Sequence, residues 1–258
     1  MTKKMLTDTE KLDWLCLSRT ENVGPITFYR LIERFGSAKK ALESLPDIAR
    51  RGGRFAPFKP FSRAEAEKEL AAIAGIGARL IASGEPDYPE LLAQVEDAPP
   101  LLTVLGDPSL LNKKSGAIVG ARNASTNGRK IAQHFAHKIG AGGYLITSGL
   151  ARGIDTAAHE GALASGTIAV VAGGIDVIYP KENTDLYNSI ARTGAIVAES
   201  PFGTQPAARH FPRRNRIISG MCLGVVVIEA AAKSGSLITA RMAAEQGRDV
   251  FSVPGSPM

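Results

Sequence analysis

AIVGARNASTNGRKIAQHFAHKIGAGGYLITSGLARGID, residues 117–155, contains one full unit of the rhythm that governs most of this chain. An unbroken apolar run (AIVGAR, 117–122) gives way to a segment with apolar residues at helical spacing (125–140). A second apolar run follows (YLITSG, 144–149). A strand that is apolar at successive positions is covered on both faces, and the intervening helices supply the cover. The pattern repeats outward in both directions. LLTVLG (101–106) precedes it, and TIAVVAGG (167–174), AIVAES (195–200), LGVVVIEA (223–230) and DVFSVP (249–254) follow. Helical segments fit between them at 153–165, 183–193, 212–220 and 236–247. The expectation for 101–258 is an α/β unit built on a doubly wound, mostly parallel sheet of Rossmann-like form.

Before Leu101 the rhythm is different. Leu12, Trp14, Leu15 and Leu17 make a first helical face, broken by Asn22-Val23-Gly24-Pro25. Phe28, Leu31, Ile32 and Phe35 make a second, stopped by Gly36, and a third helix starts near Ser37. Residues 46–62, rich in Pro, Gly and Arg, read as a loop, and a helix spans Ser62 to Ala74. Residues 75–100 alternate short apolar pieces with turn signals. The chain therefore divides into a small helical domain (1–74), a connecting segment (75–100) and the α/β domain (101–258). Helix, VGP turn, helix resembles helix-hairpin-helix and SAM-like modules, which can hold a phosphate at a helix N-terminus. A purely structural or dimerising bundle fits the same residues.

The 258 residues are 44% apolar and 22% charged, a globular composition. No stretch has the length and apolarity of a membrane span or a signal peptide. Cys16 and Cys222 lie far apart in apolar stretches and read as buried free thiols in a reducing cytoplasm. The net charge of +6 is unevenly placed. Residues 1–100 hold 15 basic and 15 acidic side chains, and residues 101–258 hold 16 and 10. A polyanion would be drawn to the second part.

The carboxyl ends of the strand runs carry the chemistry, because ligands of such sheets bind there. Gly120-Ala121-Arg122 ends one run and Ser148-Gly149 the next, which leads on to Gly153 and Asp155. Gly173-Gly174 leads on to Lys181 and Asn183, and after Glu229 the residues Lys233-Ser234-Gly235-Ser236 open a helix. Small residues, free N–H groups, helix N-termini and cations recur at each end, which suits phosphate. The first turn, GARNAS, is not G-x-G-x-x-G, and the chain has no P-loop; neither a dinucleotide nor any other cofactor is expected. Residues 200–228 contain Arg209, Arg213, Arg214 and Arg216 with no Asp or Glu, beside His210 and Phe211. Arginines among aromatic rings suit a string of phosphates with stacking bases better than the alternative, a cluster solvated or paired with distant carboxylates. Catalytic patterns are weak. Ser148, Ser234 and Ser236 lack a G-x-S-x-G context. His134 and His137 lack further metal ligands, so no metal is expected. His159 follows a capping Asp155, and Glu199 and Glu229 fit the holding of arginines or amides better than general-base roles.

VGARNAS (119–125), SGLARGID (148–155), GGIDVIYPKEN (173–183), ESPFGTQP (199–206), FPRRNRIISG (211–220), VVVIEAAAKSGSLITA (225–240) and GRDVFSVPG (247–255) together resemble the DNA-processing protein A (DprA/Smf) family. The resemblance implies a non-catalytic homodimer that binds single-stranded DNA without sequence preference and delivers RecA recombinase to it in natural transformation. It implies a pocket formed by Arg122, Ser148, Gly149, Gly153, Asp155, Gly173, Lys181, Asn183, Arg213, Arg214, Asn215, Arg216, Ser234, Gly235 and Ser236. Phosphates would pair with Arg122, Lys181 and the arginines of 213–216, with 213 and 216 on one helical face and 214 turned away. Asp155 and Asn215 would position loops, and Phe211 would stack or pack. Many family members continue past the position of Met258 with a winged-helix-like domain. The enzymatic alternative is a nucleotide phosphoribohydrolase of the lonely-guy or lysine-decarboxylase-like group. Those proteins carry a PGGxGTxxE block, and the comparable region here, EAAAKSGSLITA, displaces the Glu. A pure recombinase scaffold is a third reading.

Overall fold

The computed structural model describes residues 4–51, 60–232 and 234–255. Among the described residues eight strands form one sheet: β1 (Arg79–Ala82), β2 (Leu101–Gly106), β3 (Ser115–Gly120), β4 (Leu145–Ser148), β5 (Thr167–Val171), β6 (Ala195–Ala198), β7 (Gly224–Ile228) and β8 (Asp249–Ser252). Their order is β1-β2-β6-β5-β4-β3-β7-β8. Neighbours from β6 across to β8 are parallel, and β2 is antiparallel to both β1 and β6. Strand β1 lies in the segment that reads as a connector. Only four residues long, it is bounded by turns at Gly77 and Gly84, both with positive φ, so its apolar run is too short to stand out. Arg79 pairs with Val104 and Ala82 with Leu101, which extends the sheet.

The α/β part places α5 (Thr126–Ala141), α6 (Ile154–Ala162), α7 (Thr184–Thr193), α8 (His210–Gly220) and α9 (Gly235–Glu245) between the strands. Because successive side chains of a strand point to opposite faces, each strand feeds two cores. Ala117 and Val119 of β3 join Ile217 and Ile218 of α8 and Ala243 of α9, whereas Ile118 between them joins Ala132, Ile154 and Ala158 on the α5–α6 side. Strand β5 divides the same way, Ile168 and Val170 against Ala169 and Val171. The parallel strands run outward from β3 through β4 and β5 to β6, and the chain then returns to β7 on the other side of β3. The direction of winding reverses there, so a crevice opens beyond the carboxyl ends of β3 and β7.

The helices before the sheet are α1 (Asp8–Arg19), α2 (Pro25–Phe35), α3 (Ala38–Arg51) and α4 (Arg63–Gly75). Thr7 with Glu10, and Ser62 with Glu65, form capping boxes at α1 and α4. Gly36 ends α2 at φ +80°, a conformation that favours glycine. Helix α3 continues through Pro46 to Arg51, into a stretch that reads as loop; residues 52–59 of that stretch lie outside the described residues. The four helices are not a free-standing unit. Leu15, Cys16, Ala66 and Ile73 share one core with Leu80, Ala82 and Leu101, so the bundle sits directly on the sheet. Cys16 and Cys222 are both free and buried. No helix among the described residues is long and apolar enough to cross a membrane.

Candidate nucleic-acid interface

Arg214 stands at the centre of the crevice. Its side chain lines three adjoining cavities. The largest, about 450 Å³, lies between the ends of β3 and β7 and the start of α9, with Arg122, Asp155, Asn215, Ser234, Gly235 and Ser236 in its walls. A second, about 170 Å³, is bounded by Gly149, Gly173, Tyr179 and Phe211. A third, about 110 Å³, adds Arg213 and His210. Phe211 forms the wall between the first two. The Arg122 guanidinium lies 4.7 Å from its ring centre, Arg214 lies 5.9 Å from it, and the Tyr179 ring is tilted against it at 6.0 Å. Cation–π contact holds both arginines upright beside a flat apolar plate.

Arg214 is 6% exposed, and among the described residues no carboxylate is ion-paired with it. Its Nε is buried without a hydrogen-bond partner. Burial lowers its pKa to about 10; the nearby Asp155 carboxylate opposes that shift and Arg122 adds to it. Asp155 is itself turned to the backbone: Oδ2 accepts the amides of Gly149 (3.2 Å) and Ala151 (3.3 Å). Burial raises its pKa, and Arg214 is the largest influence holding it down.

Several expected ligands turn out to brace the rim. Ser148 Oγ donates to the Ile118 carbonyl at 2.6 Å and is fully buried. Asn183 Nδ2 donates to the Leu150 carbonyl at 2.9 Å, which ties two loops together. Gly153 has φ +77°, and a Cβ there would strike the carbonyls of Ala121 and Arg122; its role is close packing under Arg122. Asn215 Nδ2 donates to the Gly235 carbonyl at 3.1 Å and so fixes α9 against α8. The N-terminus of α9 is open, with Gly235 exposed and no side chain capping it, and Lys233 before it lies outside the described residues. Lys181 is exposed but lines none of the three cavities.

The arginines require a correction. Arg216, expected on the same helical face as Arg213, is buried and lines none of the three cavities. Its Nη2 reaches Glu199 Oε1 at 2.5 Å, and its Nη1 reaches the Asp97 carbonyl at 2.7 Å. Arg214, expected to turn away, is the residue in the cavity wall. Both follow from α8 being enclosed by the sheet on one side and α9 on another, which leaves Arg213 as its exposed cation. Asn123, Arg152, Tyr179 and Pro206 line the second cavity and were not singled out by the sequence. Tyr179 had a signal, an aromatic residue inside the quoted GGIDVIYPKEN block. Arg152 pairs with Glu182 at the rim. Glu229 is occupied as well: its carboxylate accepts the Ser125 amide at 2.8 Å and the Ser125 hydroxyl, bracing the residue that caps α5, and it lines none of the three cavities.

Comparison with known proteins agrees with this architecture over nearly the whole chain. The family described as DNA recombination-mediator protein A matches residues 79–258, and the DprA-like N-terminal HHH domain matches residues 8–72. The DNA processing protein DprA of Bacillus subtilis is 45% identical over 72% of this chain and 64% of its own length. Its counterpart in Streptococcus pneumoniae is 47% identical over 66% of this chain and 60% of its own length. The chain thus spans less than two thirds of the length of these relatives. The X-ray structure of DprA from Streptococcus pneumoniae superposes with TM-score 0.81 and 36% identity, covering 98% of this chain and 89% of that one. DNA processing protein A from Helicobacter pylori, a structure concerned with that protein's single-stranded DNA binding mode, gives TM-score 0.65 and 29% identity over 70% of this chain and 82% of that one. A family match that covers the sheet, a second that covers the helical bundle and a superposition of nearly every residue place this chain in the DNA-processing protein A (DprA/Smf) family.

Proposed function

We propose that this chain binds single-stranded DNA by its phosphates along the crevice between β3 and β7, without reading sequence, and passes that strand to a RecA-type recombinase as a non-catalytic mediator. The observation that carries the reading is Arg214: a buried guanidinium with no carboxylate at ion-pair distance among the described residues and an unsatisfied Nε, in the wall of three joined cavities. Asp155 offsets that buried charge from a distance while its Oδ2 accepts two amides; a phosphodiester in the crevice would supply the direct partner that a buried cation needs. Arg122 across the Phe211 ring and the open amides at the start of α9 offer further anion contacts. Phe211 and Tyr179 give bases a surface to stack on, which is tolerant of sequence. Arg213 and Lys181, exposed at the margin, would draw the strand in.

A homodimer fits the outer end of the sheet. Strand β8 is exposed along its length, and Leu223, Leu237, Val250 and Phe251 leave apolar surface there for a second copy. The phosphoribohydrolase reading would need a free carboxylate in the crevice; Glu229 braces Ser125 and Asp155 holds amides. Titration of labelled single- and double-stranded oligonucleotides across a salt series tests the central proposal. Preferential, salt-sensitive binding of single strands irrespective of sequence is expected, together with faster RecA loading onto the bound strand. Release of free base from nucleoside monophosphates would favour the enzyme instead.

A further inference from the structure

Two buried ion pairs, joined through the Glu199 main chain, run from the helical bundle to the helix that carries Arg213 and Arg214. Arg19, at the end of α1, grips Glu69 of α4 with Nε at 3.2 Å from both carboxylate oxygens and with Nη2 at 2.9 Å. Its Nη1 donates to the Glu199 carbonyl at 3.1 Å, just past β6. The Glu199 side chain then holds Arg216 on α8. Glu69 Oε1 also accepts the Phe202 amide at 3.3 Å. The side chains of Arg19 and Glu69 are only 9% and 7% exposed.

The segment held at both of its first turns, 199–206, is a wall of the proposed DNA site. Ser200, Pro201 and Thr204 line the third cavity, and Pro206 lines the second. The Thr204 carbonyl accepts the Gly174 amide at 2.9 Å, so the same segment also packs over the glycines at the end of β5. Phe202 belongs both to the core beneath the bundle and to the core beneath α7. Arg19 itself lines none of the three cavities around Arg214.

We infer that Arg19 is a positioning residue for the DNA site: through Glu69 and Glu199 the helical bundle sets the place of segment 199–206 and of α8, and thereby the affinity of the crevice. Buried charge networks couple groups that touch no common ligand. This inference rests on the phosphate reading of the crevice, but part of its test does not.

Arg19→Ala alone would strand a buried carboxylate and unfold the bundle, so the informative variant replaces both partners, Arg19→Met with Glu69→Met, leaving no orphan charge. Arg19→Lys keeps the charge and part of the grip. With a deoxythymidine oligonucleotide as probe, the folded double variant should bind about fivefold to tenfold more weakly, the range expected of network coupling. Its salt slope should be unchanged, because no phosphate contact is removed. Arg19→Lys should recover part of the loss. Combined with Arg214→Ala, the double variant should add little, as coupled sites do. Amide exchange, read without DNA, should quicken in 200–206 and 210–216 of the double variant. A folded double variant with wild-type affinity, or with unchanged exchange in those two segments, overturns the inference. Absence of DNA binding by the wild-type chain overturns the phosphate reading instead, and the exchange result still decides the role of Arg19.

Discussion

A Cβ atom placed on Gly149 would fall within the Arg214 guanidinium; the two residues occupy one place that only glycine leaves open. Gly149 follows β4, its amide donates to Asp155, and Arg214 closes over it from α8. The glycine at this strand end therefore does more than turn the chain: it makes room for the buried cation at the centre of the crevice.

Gly149→Ala should displace Arg214 and lower single-stranded DNA affinity together with the salt slope, by about 0.7 in slope for one lost phosphate contact. Stability should fall by about 1–3 kcal/mol, as overpacking does. Binding isotherms across a salt series, with denaturant melts beside them, check both. Wild-type affinity in this variant would show that Arg214 does not meet phosphate.

Arg214 and Arg216 should part company under the same substitution. Arg122→Ala and Arg214→Ala should each reduce the salt slope by about 0.7, whatever the oligonucleotide sequence. Arg216→Ala should instead destabilise the fold by about 3–5 kcal/mol, because Glu199 is left in a mostly buried site without its cation. Any of the Arg216 variant that stays folded should keep the wild-type slope. Denaturant titration and isotherms at matched salt distinguish the two behaviours.

That contrast marks how far the sequence was legible. The seven apolar runs after Leu101 correspond to β2 through β8, since a strand covered on both faces has an unmistakable pattern. Their direction has no such pattern, and β2 runs against its neighbours. The glycines, Arg122 and the 234–236 turn all stand at strand ends, where the rhythm places them. The orientation of α8 was not legible. Whether Arg214 or Arg216 faces the crevice depends on Glu199 and on Asp97, the latter 119 residues away along the chain, and a helical wheel does not contain either. Ser148 and Asn183 are a similar case: at the rim a polar side chain can serve a ligand or a carbonyl, and only packing chooses.

Glu229 should matter to stability through α5. It adopts φ +51°, unusual for a residue with a side chain, and from there caps the Ser125 amide. The hydrogen bonds from the Ser125 side chain and backbone hold its carboxyl below the usual range. Glu229→Ala should cost about 1 kcal/mol, the worth of a hydrogen bond to the Ser125 cap. Because the folded pKa is depressed, this contribution is present above the unfolded value of 4.5 and is lost as pH falls through the folded one. Gly128→Ala would push a Cβ against the Glu229 carboxylate, the movable end of an exposed side chain, so the lost hydrogen bonds should be largely offset by alanine's better helix propensity, for a net change of about 1 kcal/mol or less. Denaturation of each variant at neutral and acid pH provides the measurement.

His159 should give the protein a steep acid limit. Its ring is fully buried on α6, and Nδ1 lies 2.7 Å from the Thr167 hydroxyl. That hydroxyl donates to the Ile146 carbonyl at 2.6 Å, so it accepts from His159, which places the ring proton on Nδ1. Nε2 is then a bare lone pair with no partner among the described residues. Protonating it would bury a cation in the same interior as Arg214, and burial first, then Arg214, lower its pKa from 6.5 to about 3. The unfolded chain therefore binds a proton between pH 6.5 and about 3 that the folded chain refuses. Stability from this group is fully present above pH 6.5 and declines on acidification by about 1.4 kcal/mol per pH unit within that window. Asp155, whose pKa burial raises, acts in the opposite sense and loses stability as pH rises. Comparing the wild-type chain with His159→Gln cancels that influence. Between pH 6.5 and pH 4.5 the stability advantage of the wild-type chain over the variant should shrink by roughly 2–3 kcal/mol, measured by denaturant unfolding at each pH. A difference that stays flat across those two units would mean that His159 takes up its proton inside the fold, and that the space around Nε2 is open to water.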